Sequence, residues 1–158
     1  GRKVIMELKV PQTLRLEHLE LREQLYALTK EDNDLGAAAR AVMELFYMHA
    51  VKEEERVLPA LEALPRLAEG RIPESVKSME DIAADLKGGL YEELFEDHKN
   101  LEEALRRISS AALALGRNEE VRFVERLTLH FRTEEEILYP AARVAAEYCR
   151  LLMQCGEQ

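Results

Sequence analysis

Tryptophan is absent from this chain, and its 158 residues contain only seven glycines, five prolines and two cysteines. So few breakers leave long uninterrupted stretches, and abundant Leu, Ala, Glu and Arg fill them with good helix formers. Two cysteines build no disulfide framework. Cys149 and Cys155 stand six apart on different faces of a helix, match neither a zinc nor a redox spacing, and read as inert thiols. Basic residues are also short: 22 Lys and Arg against 31 Asp and Glu, a net charge of −9. Nucleic acid and anionic membrane surfaces both demand a basic face, so neither is an expected partner; the handling of cations suits this balance. No apolar run approaches a membrane span, and the N-terminus lacks the apolar core of a signal peptide, which makes the cytoplasm the expected setting. Residues 1–158 are expected to form one domain, long enough to bury about 70% of its unfolded surface.

What is present is a repeated plan. His49-Ala-Val-Lys-Glu53-Glu54-Glu55-Arg-Val-Leu-Pro59 and His130-Phe-Arg-Thr-Glu134-Glu135-Glu136-Ile-Leu-Tyr-Pro140 each run from a His to three glutamates, an apolar pair and a Pro. On a helix, positions four apart share a face, roughly 6 Å apart along the axis. His49/Glu53 and His130/Glu134 therefore form two imidazole–carboxylate claws. A shorter repeat, Glu17-His18-Leu-Glu-Leu-Arg-Glu23 and Asp97-His98-Lys-Asn-Leu-Glu-Glu103, recurs at nearly the same offset. One helical hairpin, with His on its first helix and His-x-x-x-Glu on its second, thus occurs twice. Two such hairpins predict an all-α, up-down-up-down four-helix bundle with its four histidines at similar depth.

Periodicity places the elements. A first helix carries Leu14, His18, Leu21, Leu25 and Leu28, and Asn33 or Asp34 caps the second. The second spans about 35–63, with Val42, Leu45, His49, Glu53, Val57, Ala60 and Leu64 inward and Pro59 as its kink or stop. Residues 74–87 carry Val76, Met79, Ile82, Ala83 and Leu86 and predict a short extra helix, which Gly88-Gly89 breaks or hinges from the next. The third long helix, about 90–115, presents Tyr91, Leu94, His98, Leu101, Leu105, Ile108, Ala112 and Leu115. After Gly116 and a capping Asn118, the fourth presents Phe123, Leu127, His130, Glu134, Ile137, Ala141, Val144 and Tyr148, kinked at Pro140. Tyr47, Tyr91, Met43 and Met48 read as packing and core residues.

All four histidines fall on these stripes, where a Leu would otherwise stand. A buried carboxylate is costly unless paired or metal-bound, and four imidazoles with two or three carboxylates in one core point to cations. Neutral imidazole with carboxylate suits Fe, Mn or Zn, and the lack of thiolates disfavours a purely structural zinc knot. A bundle of buried His–Glu pairs without metal is the bland alternative. Glu53 and Glu134, equivalent in the two halves, are expected to bridge two ions about 3.5–4 Å apart. Glu102, four after His98, has Arg22 as its counterpart; it reads either as a ligand to one ion or as an acceptor behind a ligating His. Glu54 and Glu135 stand near enough to the inward face to be alternate ligands. Ferritin-like bundles place Glu three before His; here those positions hold Arg15, Phe46, Phe95 and Leu127, which disfavours that family.

This order of His18, His49-x-x-x-Glu53, His98 and His130-x-x-x-Glu134, over roughly residues 12–150, resembles the hemerythrin-like (HHE cation-binding) domain family. The resemblance implies two non-haem iron ions with an oxo or hydroxo bridge, Zn or Mn being possible substitutes, held by His18, His49, Glu53, His98, His130 and Glu134. It implies binding or sensing of O2, NO or peroxide. Oxygen-carrying members have His-x-x-x-His on the third helix and an Asp five after the last His, where this chain has His98-x-x-x-Glu102 and Glu134 or Glu135. More carboxylate and fewer imidazoles favour the ferric state over clean O2 release. The pattern is therefore closer to members tied to iron–sulfur cluster repair or to NO and peroxide handling, and a di-iron enzyme or iron donor is the alternative function.

Overall fold

A computed structural model describes residues 9–74 and 76–156, together with the backbone but not the side chains of Val76 and Lys77. The expected inward side chain of Val76 therefore lies outside the described residues. The described chain is helical and contains no strand: α1 Gln12–Leu28, α2 Asp34–Arg56, a 3-10 segment Leu58–Ala63, α3 Leu64–Ala68, α4 Val76–Asp85, a π turn Leu86–Leu90, α5 Tyr91–Ala114, α6 Asn118–Thr133, a second π turn Glu134–Leu138, and α7 Tyr139–Gly156. None of the described helices is long and apolar enough to cross a membrane.

The turn into α2 is built by its sequence. Asn33 accepts a hydrogen bond from the Gly36 amide at 3.0 Å, satisfying one of the free N–H groups of the helix start. Gly36 is required there, because a Cβ would stand 1.8 Å from the Glu31 carbonyl oxygen. At the other end, Gly116 follows α5, and the Arg117 amide reaches back to the Ala112 carbonyl at 2.9 Å, closing the last turn. Gly88-Gly89 hinges α4 from α5, as the sequence suggests: the two helices meet across a kink in the π turn, where Gly89 stands at φ 106°, a conformation that costs glycine least.

Packing proceeds α1 on α2, α2 on α5, and α5 on α6. Arg126 on α6 bonds Gln24 on α1, and Arg117 just before α6 bonds Glu31 just after α1. Two apolar clusters result. One gathers Leu21, Leu25, Leu28, Leu35, Val42, Phe46, Leu101, Leu105, Ile108, Leu127 and Phe131 from these four helices. The other gathers Val57, Leu58, Leu61, Leu67, Met79, Ile82, Leu86, Leu90, Leu94, Tyr139 and Cys149, with α7 packed on α4 and on the 3-10 segment. Cys149 is buried and Cys155 exposed, and neither is paired.

Several expected core positions are corrected. The second helix ends at Arg56 rather than near 63, because Pro59 has no N–H to continue the ladder; Val57 leaves helical geometry at φ −130°. Within α2 the inward position is Phe46, not Leu45, while Tyr47 and Met48 lie on the outer surface. Leu64, the first residue of α3, and Leu115, just past the end of α5, are exposed. Beyond Glu134 the π turn inserts one residue per turn, so the inward face becomes Tyr139, Ala142, Ala145, Ala146 and Cys149. Ile137, Val144 and Tyr148 consequently face outward.

Candidate metal centre

The polar groups buried between the two apolar clusters are those of the repeat. His18 on α1, His49 and Glu53 on α2, His98 on α5, His130 on α6 and Glu134 opening the π turn are all almost completely buried. They converge into two groups that could each hold a metal ion: His49, Glu53, His98 and Glu134 in one, His18, His130 and Glu134 in the other. The Nε2 atoms of His49 and His98 are 3.0 Å apart, and those of His18 and His130 are 3.1 Å apart. Glu134 serves both groups. Its Oε1 lies 3.1 Å from His98 Nε2, and its Oε2 lies 3.3 Å from His130 Nε2 and 3.5 Å from His18 Nε2. Glu53 belongs to the first group alone, with Oε1 at 3.0 Å from His49 Nε2.

Each imidazole uses its other nitrogen on a carboxylate. His18 Nδ1 bonds Glu54 at 3.2 Å, His49 Nδ1 bonds Asp97 at 3.0 Å, His98 Nδ1 bonds Glu135 at 2.9 Å, and His130 Nδ1 bonds Glu17. An ionised carboxylate only accepts, so each Nδ1 carries the proton and each neutral ring turns the lone pair of Nε2 inward. Facing lone pairs 3 Å apart repel unless a proton or a cation lies between them. The pattern obeys the repeat. The acidic residue before the first-helix His (Glu17, Asp97) holds the second-helix His of the opposite half. The acidic residue after each claw Glu (Glu54, Glu135) holds the first-helix His of its own half.

Protonation shows what the cluster demands. Burial pulls His49 down, but Glu53, Asp97 and Glu134 outweigh it and raise the ring to about 11. Burial likewise opposes His130, yet Glu134, Glu17 and Glu53 raise it to about 9, and His18 is raised chiefly by Glu134 and Glu53. Burial and the neighbouring Glu134 push Glu53 up to about 7. Glu134 is also opposed by burial, but the neighbouring Glu53, His130, His18 and His49 hold it well below the usual range. Without a cation, the cluster recruits protons to balance its carboxylates. Glu134 Oε2 remains buried with no hydrogen-bond partner among the described residues, an orphan that metal coordination would satisfy. The donor set therefore fits a metal.

Aromatic rings wall the cluster. His98 stacks on Phe131 with centroids 4.5 Å apart and on Tyr139 at 5.7 Å, and Phe46 stands edge-on to His18. Tyr139 belongs to this cluster and was missed by sequence reasoning, as were Glu17 and Asp97 as partners of His130 and His49. The Tyr139 hydroxyl donates to Glu53 Oε2 at 2.7 Å and lies 3.3 and 3.2 Å from the Nε2 atoms of His49 and His98. Burial, together with the charges of Glu53 and Glu134, pushes the phenol far up and keeps it a donor. The repeat carried the signal, since Tyr139 aligns with the fully buried Leu58.

Glu102 stands in neither group; its carboxylate pairs with Arg132 at 2.8 Å on the outer side of α5. The four-residue step from His98 carries it just past the inward face, and the acceptor behind His98 is Glu135. Glu54 and Glu135, considered as alternate ligands, instead hold imidazoles from behind. No family model, no curated protein and no solved structure matches the chain.

Proposed function

We propose that the chain is a hemerythrin-like, up-down-up-down four-helix bundle of the cytoplasm, which holds two iron ions and binds or senses O2, NO or peroxide there. One observation carries this reading: two imidazole pairs, each with its Nε2 atoms about 3 Å apart, meet on opposite oxygens of one buried carboxylate, Glu134. His18, His130 and Glu134 would hold one ion, and His49, His98, Glu53 and Glu134 the other, with Glu134 as the bridge. When bound, the pair of ions would supply a reducible centre for a small diatomic or peroxide. The chain's own contribution is orientation and exclusion of water. Carboxylates fix all four rings in one tautomer, and Phe46 and Phe131 keep the surroundings dry. The two unpaired cysteines accord with a reducing compartment.

Tyr139 favours one second reading. A protonated hydroxyl within hydrogen-bond reach of the donor atoms suits an enzyme that consumes peroxide, NO or O2 better than a passive binder. Anaerobic protein loaded with ferrous ion separates the two. Stoichiometric uptake of O2 or NO without turnover supports binding or sensing, and sustained consumption or iron transfer supports the enzyme or donor. Purified protein with no metal and full thermal stability in chelator would overturn both.

A further inference from the structure

The four imidazole–carboxylate pairs are not equally secured. Glu54 is held by Arg22 at 3.4 Å, Asp97 by Lys52 at 2.8 Å and Glu135 by Arg132 at 3.0 Å; their side chains are 24%, 26% and 14% exposed. Glu17, behind His130, is 51% exposed and has no cation against it among the described residues. His130 is also the most exposed of the four histidines, at 6% against 1% for each of the others. The cation groups differ in the same sense. The His49 group has four donors, and Tyr139 locks Glu53 into it with a 2.7 Å bond; the His18/His130 group has three donors, with Leu58 at the position equivalent to Tyr139.

We propose that the two cation positions differ in permanence. The His18/His130/Glu134 position releases and reloads its ion through movement of His130, latched only by Glu17, while the His49/His98/Glu53/Glu134 position retains its own. The proposal rests on the metal reading above and adds a direction to it, since one ion is exchangeable and the other resident. The physical basis is the cost of swinging a ring aside. Moving His18, His49 or His98 breaks a charge-assisted bond to a carboxylate that a cation holds still, whereas Glu17 is free to follow His130 into solvent. Such a device suits a protein that yields one metal ion on demand without unfolding.

The test is release of iron from the full chain, loaded anaerobically with two equivalents of ferrous ion and mixed with excess colorimetric chelator. Two phases of equal amplitude are expected. Glu17→Gln keeps an acceptor for His130 Nδ1 but removes its charge, and is expected to quicken the fast phase about fivefold while leaving the slow phase unchanged. Asp97→Asn makes the same change behind His49, and is expected to quicken the slow phase. Two bound ions released in a single phase, or a Glu17→Gln effect spread over both phases as general loosening would produce, overturns this inference and leaves the metal reading intact. Failure to bind metal at all overturns both.

Discussion

His49–Pro59 and His130–Pro140 follow one sequence plan and end differently. In the first, α2 stops at Arg56 and the chain turns through a 3-10 segment that buries Leu58. In the second, a π turn over Glu134–Leu138 absorbs the same proline-imposed break, and the helix continues into α7 with Tyr139 where Leu58 stood. The claws are equivalent up to the glutamate and inequivalent after it. Glu53 is bound by a phenol and serves one group; Glu134 meets no phenol and serves both. A duplicated hairpin can thus supply a symmetric set of imidazoles, while the residue five positions past the claw differs between a carboxylate that serves one group and a carboxylate that serves both.

Breaking this comparison outright takes the bridge. Glu134→Gln is expected to lower bound iron from two ions per chain to less than one by elemental analysis, whereas Glu53→Gln leaves about one. Equal losses would mean that the two carboxylates share the bridge, as the repeat alone suggests. Loss of a ligand of this kind typically costs affinity tenfold or far more.

Next in size is the pH response of the metal-free chain. Folded values of about 9 for His130 and about 11 for His49 lie above the ordinary 6.5, so their stabilising contribution is complete below 6.5 and is lost as pH rises through 9 and then 11. Glu53, raised to about 7, adds a loss in the same direction. Glu134, held below its usual value, is lost only in acid, as pH falls through its depressed folded value. The urea midpoint of metal-free protein is therefore expected to fall between pH 7 and pH 10. In iron-loaded protein the fall shrinks, because cations replace the protons. Metal binding at pH 7.5 is expected to release protons measurable with an indicator dye. A flat urea profile, or binding without proton release, would count against the converged imidazoles.

Tyr139→Phe sharpens the comparison with less effect. It removes the donor to a buried Glu53 oxygen and is expected to cost about 1–3 kcal/mol in chemical denaturation. The matching change in the first half, Leu58→Met, is expected to cost less than about 1.5 kcal/mol and to leave bound metal unchanged. Smallest of all is Glu102→Gln. Its partner Arg132 is 45% exposed, so stability is expected to move by less than about 0.5 kcal/mol with metal content unaltered.

How much of this was written in the sequence depends on where a regular helix persists. Along α1 and α5 the 4-3 spacing placed His18 and His98 among Leu21, Leu25, Leu101 and Leu105, where they lie. The claws likewise set Glu53 and Glu134 inward. Extrapolation failed at Ile137, Val144 and Tyr148, because the π turn after Glu134 shifts the register by one, and a period of 3.6 cannot anticipate that. Glu102 misled for a related reason: a four-residue step drifts off the inward line, and an arginine one turn along the neighbouring helix captures the carboxylate. Glu17 and Asp97 stood in the repeat as acidic residues beside histidines, but their partners lie across the fold, on His130 and His49. Spacing within one helix does not encode which ring such a carboxylate reaches.

The most direct measurement is anaerobic titration of metal-free protein with ferrous ion at pH 7.5, with bound iron counted after desalting. The account expects two ions per chain, falling to about one when His130 is replaced by Ala. Saturation at zero, or an iron count indifferent to His130→Ala and Glu134→Gln alike, would contradict it.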